Sequence, residues 1–157
     1  MRRKDREVNS LQEIEEILKM CKTAHIGMMD GAVPYVVPLS YGYELEGQTL
    51  TLFFHCASEG RKIDILKKNP CVCFEMCNEG EPVFMDAPCN SGYYYSSIIG
   101  NGTVEFINRP EDKCHALTAM FFQQSGKEVI FTKEQAANVL CFKVTLETYS
   151  AKRKPKR

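Results

Sequence analysis

The sequence has no net charge, no tryptophan and no long apolar run. Its 20 lysines and arginines balance 20 aspartates and glutamates over 157 residues. Because nucleic-acid binding needs a net basic face, this balance argues against nucleic acid as the main partner. A run of about 18 apolar residues is absent, which argues against a membrane span. The charged start of the chain lacks the apolar core of a signal peptide, so we expect a cytoplasmic protein.

The eight cysteines contain no C-x-x-C pair. Thiols in the cytoplasm are normally reduced. Cys71, Cys73 and Cys77 follow a C-x-C-x3-C spacing, which is not a standard zinc pattern. We interpret the cysteines as small buried hydrophobic residues, with a metal or iron–sulfur site as the alternative. The sequence therefore predicts no metal site.

Turn signals and apolar periodicity predict about six mainly antiparallel strands and several helices. Asp30-Gly31 and Glu46–Gln48 mark tight turns between the first three strands. The predicted strands are 24–29, 33–43, 50–55, 71–77, 93–107 and 139–149, and the predicted helices begin after Ser10, span 59–69 and 110–124, and begin after Thr132. Short turns and this strand length favour a small closed or split barrel. We expect a single domain over residues 1–157.

Five local predictions accompany this outline. Ser10 and Glu13 form a capping box, and Ser58 caps the second helix. Gly100–Gly102 predict a bulge or bend in a long strand. Phe121 is predicted to face inward from the third helix, and Thr132 with Gln135 to cap the last one.

Both ends of the chain are basic. Residues 1–6 read MRRKDR, and residues 151–157 read AKRKPKR. We interpret them as solvated, partly frayed tails. In the alternative interpretation, Lys152 or Arg153 reaches an anionic ligand.

The segment from Phe54 to Lys62 has the features of a phosphate site. A strand ends there and a helix begins, and the first amides of a helix have no partners within the helix. Arg61 and Lys62 add two cations, and Gly60 permits close approach of the backbone. His55 and Ser58 offer further hydrogen bonds. An ordinary capped surface helix is the alternative.

The segment from Pro34 to Tyr43 offers a flat surface. Proline removes ladder donors, so part of this strand is expected to face a ligand rather than a neighbouring strand. A flavin ring needs an apolar plane and backbone groups along its polar edge. An edge strand with aromatic core residues is the alternative.

The order of several segments resembles the pyridoxamine 5′-phosphate oxidase-like flavoproteins, most closely their nitroimidazole-resistance branch. The segments are MRRKDREV, PYVVPLSYGYE, LTLFFHCASEGRKIDILKKNPCVCFE, YYSSIIGNGTVEFINRPEDK and VTLETYSAKRK. The resemblance implies a mainly β (α+β) fold, a six-stranded antiparallel split β-barrel of FMN-binding type with flanking helices. It also implies a homodimer with two FMN sites at the subunit interface.

The resemblance further implies the cofactor-binding residues. Arg61 and Lys62 would hold the FMN phosphate with His55 and Ser58 nearby. The isoalloxazine ring would lie along the backbone of Val37, Pro38, Leu39 and Ser40, and the site would also include Phe54 and Ser97. Ser96 departs from the family pattern, because relatives often carry arginine there, and this weakens any inference about an anionic substrate.

We therefore predict an FMN-dependent oxidoreductase. It would reduce a small aromatic or nitro compound such as a 5-nitroimidazole, with NAD(P)H or a partner protein reducing the flavin. His55 is the candidate catalytic residue, because an imidazole can donate to the flavin or substrate or move a proton. A non-catalytic flavin- or haem-binding module is one alternative. Pyridoxamine phosphate oxidation is another, although the chain lacks the tryptophan expected of that enzyme.

Overall fold

The computed structural model describes residues 2–154, apart from the side chain of Glu147. The strands are β1 (Glu7–Val8), β2 (Thr23–Asp30), β3 (Val33–Ser40), β4 (Gly42–Glu46), β5 (Thr49–Cys56), β6 (Cys71–Val83), β7 (Gly92–Ile107) and β8 (Leu140–Lys154). The helices are α1 (Leu11–Met20), α2 (Arg61–Lys68), α3 (Pro110–Ser125) and α4 (Lys133–Ala136), and short 3₁₀ turns lie at Lys4–Arg6 and Pro88–Asn90. Among the helices of residues 2–154, none has both the length and the apolar character that crossing a membrane requires.

The eight strands form one antiparallel sheet in the order β3-β2-β6-β7-β8-β5-β4, with β1 beside β8. β3 and β4 lie at opposite edges of this order, yet only Tyr41 separates them in the chain. Successive Cα atoms are 3.8 Å apart, so Ser40 and Gly42 lie within about 7.6 Å of each other. The sheet must therefore curl until its two edges meet at this corner.

The prediction of a mainly β, antiparallel fold with helices is confirmed. The strand number differs, because Tyr41 divides the predicted strand 33–43 in two and the short β1 was not predicted. In the described part of the chain the order of hydrogen-bonded strands begins with β3 and ends with β4, and these two strands are not paired with each other. Full closure of the split barrel stays a prediction.

The main core fills the inside of the curled sheet. Alternate strand residues point inward, and Phe54 stacks on Phe142 with ring centroids 5.1 Å apart. Ile17 of α1 and Leu66 of α2 belong to the same cluster, so both helices pack against the interior. A smaller cluster lies between α3 and the opposite side of β5, and it consists of Phe53, Ile107, Ala116, Leu117, Met120, Ala136 and Cys141.

A buried polar contact holds the corner at Tyr41. The Tyr41 hydroxyl lies 2.9 Å from the carbonyl oxygen of Leu18 and 3.1 Å from that of Cys21. The Gln123 side-chain amide donates to the same two carbonyls at 2.6 and 2.8 Å. Gln123 is therefore the buried residue of this turn of α3, and the prediction that Phe121 faces inward is wrong, because Phe121 is 37% exposed.

Two of the predicted helix caps differ from the structure and one agrees with it. Ser10 precedes α1 without a capping side-chain hydrogen bond, so the box with Glu13 is wrong. The Glu13 carboxylate lies 3.6 Å from Arg153 instead. The prediction that Ser58 caps α2 is also wrong, since Gly60 precedes that helix. The last helix does have its predicted capping box of Thr132 and Gln135.

The predicted irregularity at Gly100–Gly102 is confirmed. Asn101 pairs with Thr148 and Gly102 with Leu146, so β8 carries one extra residue at this point. A Cβ atom at Gly102 would lie 2.5 Å from the Thr145 carbonyl oxygen. Glycine is therefore required where the two backbones approach most closely.

The long strands extend further than predicted. β6 continues to Val83, with a register shift between Glu79 and Pro82. β8 continues to Lys154, and Ala151 is only 2% exposed. The solvated-tail interpretation is wrong for 151–154, because pairing with β7 satisfies this backbone. Residues 155–157 of the predicted tail lie outside the described residues.

We predict that Gly42→Ala destabilises the protein by about 1–3 kcal/mol, the range typical of overpacking. A Cβ atom at Gly42 would lie 2.4 Å from the backbone nitrogen of Met120, so α3 would have to move. Gly27→Ala is the matched control, because its Cβ atom would lie 3.5 Å from its nearest neighbour, an ordinary contact. Urea unfolding measures both free energies. Equal values for the two variants would contradict the close packing of α3 on β4.

Candidate functional site

One side of the sheet, formed by β3, β2, β6, β7 and β8, is exposed. In β6 the side chains of Val72 and Phe74 point into the core, whereas those of Cys71, Cys73 and Cys77 are exposed. Paired residues of neighbouring strands point to the same side of the sheet, so the partners of these cysteines in β2 and β7 are on the exposed side too, as are the residues paired with those partners in β3 and β8. We call this surface the outer face, and its central residues are His25, Val36, Pro38, Ser40, Cys73, Cys77, Ser97, Ile99, Ser150 and Lys152.

The strand β3 forms an edge of the sheet and pairs only with β2 in the described part of the chain. Its alternate residues Val37 and Leu39 pack against the core, whereas Pro38 and Ser40 are exposed. Proline has no N–H and is tolerated in a sheet where that position faces away from the ladder. Ser40 lies two residues from Pro38, so both direct their backbone groups to the open edge. This edge has the free backbone groups that the polar side of a flat heterocycle requires.

The N-terminus of α2 has no side-chain cap. Gly60 has a φ of 123°, a conformation that favours glycine, and the helix begins at Arg61 rather than at the predicted Glu59. The amides of Ile63 and Asp64 bond to the Gly60 carbonyl at 2.9 and 3.2 Å. The amides at the two preceding positions have no acceptor within the helix, so they point outward with the positive end of the helix dipole.

Arg61 is held at the end of the β2–β3 hairpin. Its Nε donates to Asp30 Oδ2 at 2.9 Å, and its guanidinium carbon lies 4.3 Å from the ring centroid of Tyr35. Asp30 therefore holds the Nε edge of the guanidinium and Tyr35 covers one of its faces. The two terminal nitrogens form no hydrogen bond with any of residues 2–154. Two parallel N–H donors are the arrangement that binds a phosphate or carboxylate bidentately.

The other predicted residues of this segment have different environments. Lys62 is half-buried. Burial raises the pKa of the Cys56 thiol, and the positive charge of Lys62 partly offsets this rise. Ser58 and His55 are exposed. The Phe54 side chain is fully buried in the core, so only its backbone can meet a ligand.

The three histidines differ in their partners. His25 Nδ1 lies 3.1 Å from Glu75 Oε2, and His115 Nε2 lies 2.5 Å from Glu44 Oε1. His55 has no hydrogen-bonded or acidic partner among the residues that the structure describes. Its imidazole is therefore the one whose nitrogens remain open to a ligand.

Ser97 lies on the outer face, opposite Cys77 of β6 and Lys152 of β8. It is three strands from β3, which corresponds to about 14 Å across the sheet. The adjacent Ser96 points the other way, is 3% exposed, and its hydroxyl is the buried side-chain polar atom without a partner in the described residues. Ser96 pairs with Arg153 of β8 and faces the interior. A different residue at position 96 would therefore change the interior and not the outer face.

The structure brings Arg61 to the end of the β2–β3 hairpin, where its partner Tyr35 lies on the core side of β3. Ser97 lies on the outer face, three strands from β3. Sequence reasoning missed Asp30 and Tyr35, which orient Arg61, because both are distant from it in the chain. Within residues 2–154 no three His, Cys, Asp or Glu side chains cluster as metal ligands.

A family model described as pyridoxamine 5′-phosphate oxidase matches residues 10–153. The chain therefore belongs to the pyridoxamine 5′-phosphate oxidase-like family, as its sequence resemblance predicted. Among curated proteins none matches the chain.

Solved structures agree with this assignment. A candidate 5-nitroimidazole antibiotic resistance protein from Bacteroides thetaiotaomicron VPI-5482 is 29% identical, with a TM-score of 0.80 over 94% of this chain and 86% of that chain. The FAD- and haem-binding protein from Mycobacterium smegmatis is 16% identical, with a TM-score of 0.79 over 96% and 74% of the two chains. A flavocytochrome from Azotobacter vinelandii is 19% identical, with a TM-score of 0.77 over 99% and 72%. The last two show the common fold alone, and the first supports the predicted resemblance to the nitroimidazole-resistance branch.

We predict that Arg61→Gln weakens FMN binding roughly ten-fold or more, the usual worth of a charge-assisted hydrogen bond. Riboflavin has the same ring without the phosphate, so its affinity should not change. Arg109→Gln is the matched control, because Arg109 is another exposed arginine at the N-terminal end of a helix, and it too pairs with a carboxylate, Asp112. Fluorescence titration of the flavin-free protein gives the dissociation constants. An equal loss of both flavins in Arg61→Gln would contradict a phosphate contact.

Proposed function

We propose that this protein binds FMN on its outer face as a homodimer and acts as an oxidoreductase. Its substrate class would be small aromatic or nitro compounds such as 5-nitroimidazoles, with NAD(P)H or a protein reductant as the electron source. The observation that carries the proposal is the uncapped start of α2 with Arg61 and Lys62, where Arg61 contacts the hairpin that leads into the edge strand β3.

The phosphate end of the proposed site rests on three groups of donors. The first amides of α2 point outward, Arg61 presents two free terminal nitrogens, and Lys62 has no carboxylate within ion-pair distance in the described part of the chain. Helix N-termini with added cations bind phosphate readily. The oriented Arg61 lowers the entropy lost on binding, because its side chain is already held by Asp30 and Tyr35.

The ring end rests on the backbone of β3. The segment from Val37 to Ser40 offers free backbone groups at the open edge and the exposed apolar ring of Pro38. FMN, when bound, supplies hydride or electron transfer, and the protein supplies its position. His55 lies six residues before Arg61 with an unoccupied imidazole, so it is the residue we assign to donate or move a proton near the site.

The homodimer is supported by the apolar character of the outer face. Val36 is 57% exposed, Ile99 49% and Met29 43%, and all three belong to strands of this face. A sheet with an apolar face is normally covered by a second layer. In the proposed dimer the second copy supplies that layer and covers the bound ring.

The absorbance spectrum of the purified protein tests the proposed cofactor. We expect flavin bands, FMN as the cofactor released on denaturation, and oxidation of NAD(P)H that is accelerated by a nitroimidazole. A Soret band instead would favour the haem-binding alternative, for which His55 is the available axial ligand. Flavin bands without turnover for any nitro compound would reduce the proposal to a flavin-binding module.

Thiol labelling tests the proposed dimer interface. We expect Cys73 and Cys77 of the outer face to react slowly in the FMN-loaded protein. Cys89 is the internal control, because it is exposed in the 3₁₀ turn outside this face and should react quickly. Burial raises the pKa of Cys21 to about 12, so that thiol should stay unreactive in either case. Mass spectrometry after brief alkylation gives the rates, and equal rates for Cys73, Cys77 and Cys89 would contradict an interface on the outer face.

A further inference from the structure

A cleft of about 550 Å³ lies between α3, β4 and the segment that follows α3. Its volume is within the range of small-molecule sites, roughly 300–1,000 Å³. His115, Thr118, Ala119 and Phe122 line it from α3. Residues three and four apart lie on the same side of a helix, so these four form one stripe. We call this space the α3 cleft.

The walls of the α3 cleft are largely apolar. Leu45 of β4 lines it together with Ala119 and Phe122 of α3, and Val129 and Ile130 line it from the segment after α3. Phe122 is 50% exposed and Ile130 is 88% exposed. Single exposed apolar residues are ordinary on a protein surface, but apolar residues that converge on one cleft mark a binding surface.

The acidic and basic side chains that line the α3 cleft are carboxylates and one imidazole. Glu15, Glu44 and Glu128 reach it from three different segments, and no lysine or arginine of residues 2–154 lines it. Glu15 pairs with Lys19 at 3.0 Å, whereas no ion pair of the described residues involves Glu128. Burial and the charge of Glu15 raise the pKa of Tyr43 to about 12, so the Tyr43 phenol stays neutral beside this carboxylate.

The imidazole of His115 is held at the β4 side of the cleft. Its Nε2 lies 2.5 Å from Glu44 Oε1, and its ring meets the Phe53 ring edge to face with centroids 5.7 Å apart. A neutral imidazole that donates from Nε2 has an acceptor at Nδ1. Nδ1 forms no hydrogen bond with any of residues 2–154. The cleft therefore offers acceptors to a ligand at this side.

The α3 cleft keeps a net negative charge while His115 is neutral. Two lysines come close to it, Lys19 at Glu15 and Lys22, whose Nζ donates to the Gln123 carbonyl oxygen at 2.6 Å. The three carboxylates exceed these two lysines by one unit. The charge of the cleft therefore matches a monovalent cation.

The α3 cleft is separate from the proposed flavin site. α3 packs on β4 and β5, and neither strand belongs to the outer face. None of the residues that line the cleft is among the central residues of the outer face or in the segment from His55 to Lys62. A second copy of the chain on the outer face therefore does not use the cleft.

We propose that the α3 cleft binds a small organic cation with a flat apolar body. Glu44 and Glu128 accept hydrogen bonds from the charged group, and the apolar body contacts Leu45, Phe122 and Ile130. An aromatic ring beside a cation adds to the attraction. A neutral molecule of the same shape lacks the charge that makes these hydrogen bonds strong. The site does not require the flavin, so it stands independently of the proposed function.

Titration of the full chain with benzamidine and with benzamide, followed by the NMR shifts of backbone amides, tests the site. The two molecules have the same flat shape, and only benzamidine is positively charged. At low ionic strength and about pH 8, where imidazole is ordinarily neutral, we expect benzamidine to bind roughly ten-fold or more tightly. The largest shifts should fall in β4, α3 and residues 128–130. Glu44→Gln and Glu128→Gln should each weaken benzamidine binding by roughly two- to five-fold, as expected for an exposed ion pair.

Glu46→Gln is the matched control, because Glu46 is an exposed carboxylate of the same strand as Glu44 but does not line the cleft. It should leave benzamidine binding unchanged, as should saturation with FMN, and circular dichroism confirms the fold of each variant. An equal loss in Glu46→Gln and Glu44→Gln would overturn the site in favour of long-range attraction. Equal affinity for benzamidine and benzamide would overturn it as well, as would shifts centred on the outer face or displacement of FMN by benzamidine.

Discussion

The fold depends on one crossing of the chain at Tyr41. Between Ser40 and Gly42 the backbone passes from one edge strand of the sheet to the other, and this short link forces the sheet to curl. The buried Tyr41 hydroxyl and the Gln123 amide hold the end of α1 through the same two carbonyl groups. An unpaired polar group in such a position would be costly, so the contact joins α1, α3 and the corner into one arrangement.

The curl also decides which surfaces remain for function. It buries one side of every strand around Phe54 and Phe142, and it leaves the other side of β3, β2, β6, β7 and β8 exposed. The same corner keeps β3 at an open edge. The proposed flavin site uses both consequences, since it combines the open edge with the cationic start of α2.

Charge is arranged locally in a chain whose formal total is zero. Several cations are paired, as Arg153 is with Glu16 at 3.0 Å and Lys19 with Glu15 at 3.0 Å. Exposed pairs of this kind contribute little to stability. Arg61 is also paired, with Asp30, yet within residues 2–154 it keeps two terminal nitrogens free at the end of the β2–β3 hairpin. The Tyr35 ring beside it orients the guanidinium further.

Sequence alone predicted the antiparallel strands, the helix after β5 with its two cations and the bulge at Gly100–Gly102, because turn residues, periodicity and helix signals are local properties. It began that helix two residues too early, at Glu59 instead of Arg61. Tertiary structure decided the rest. It placed Asp30 and Tyr35 against Arg61, turned Ser96 inward and Ser97 outward, and joined Arg6 to Tyr95 across 89 residues of chain. Strand register sets such meetings, and a shift of one residue would reverse every side chain of a strand.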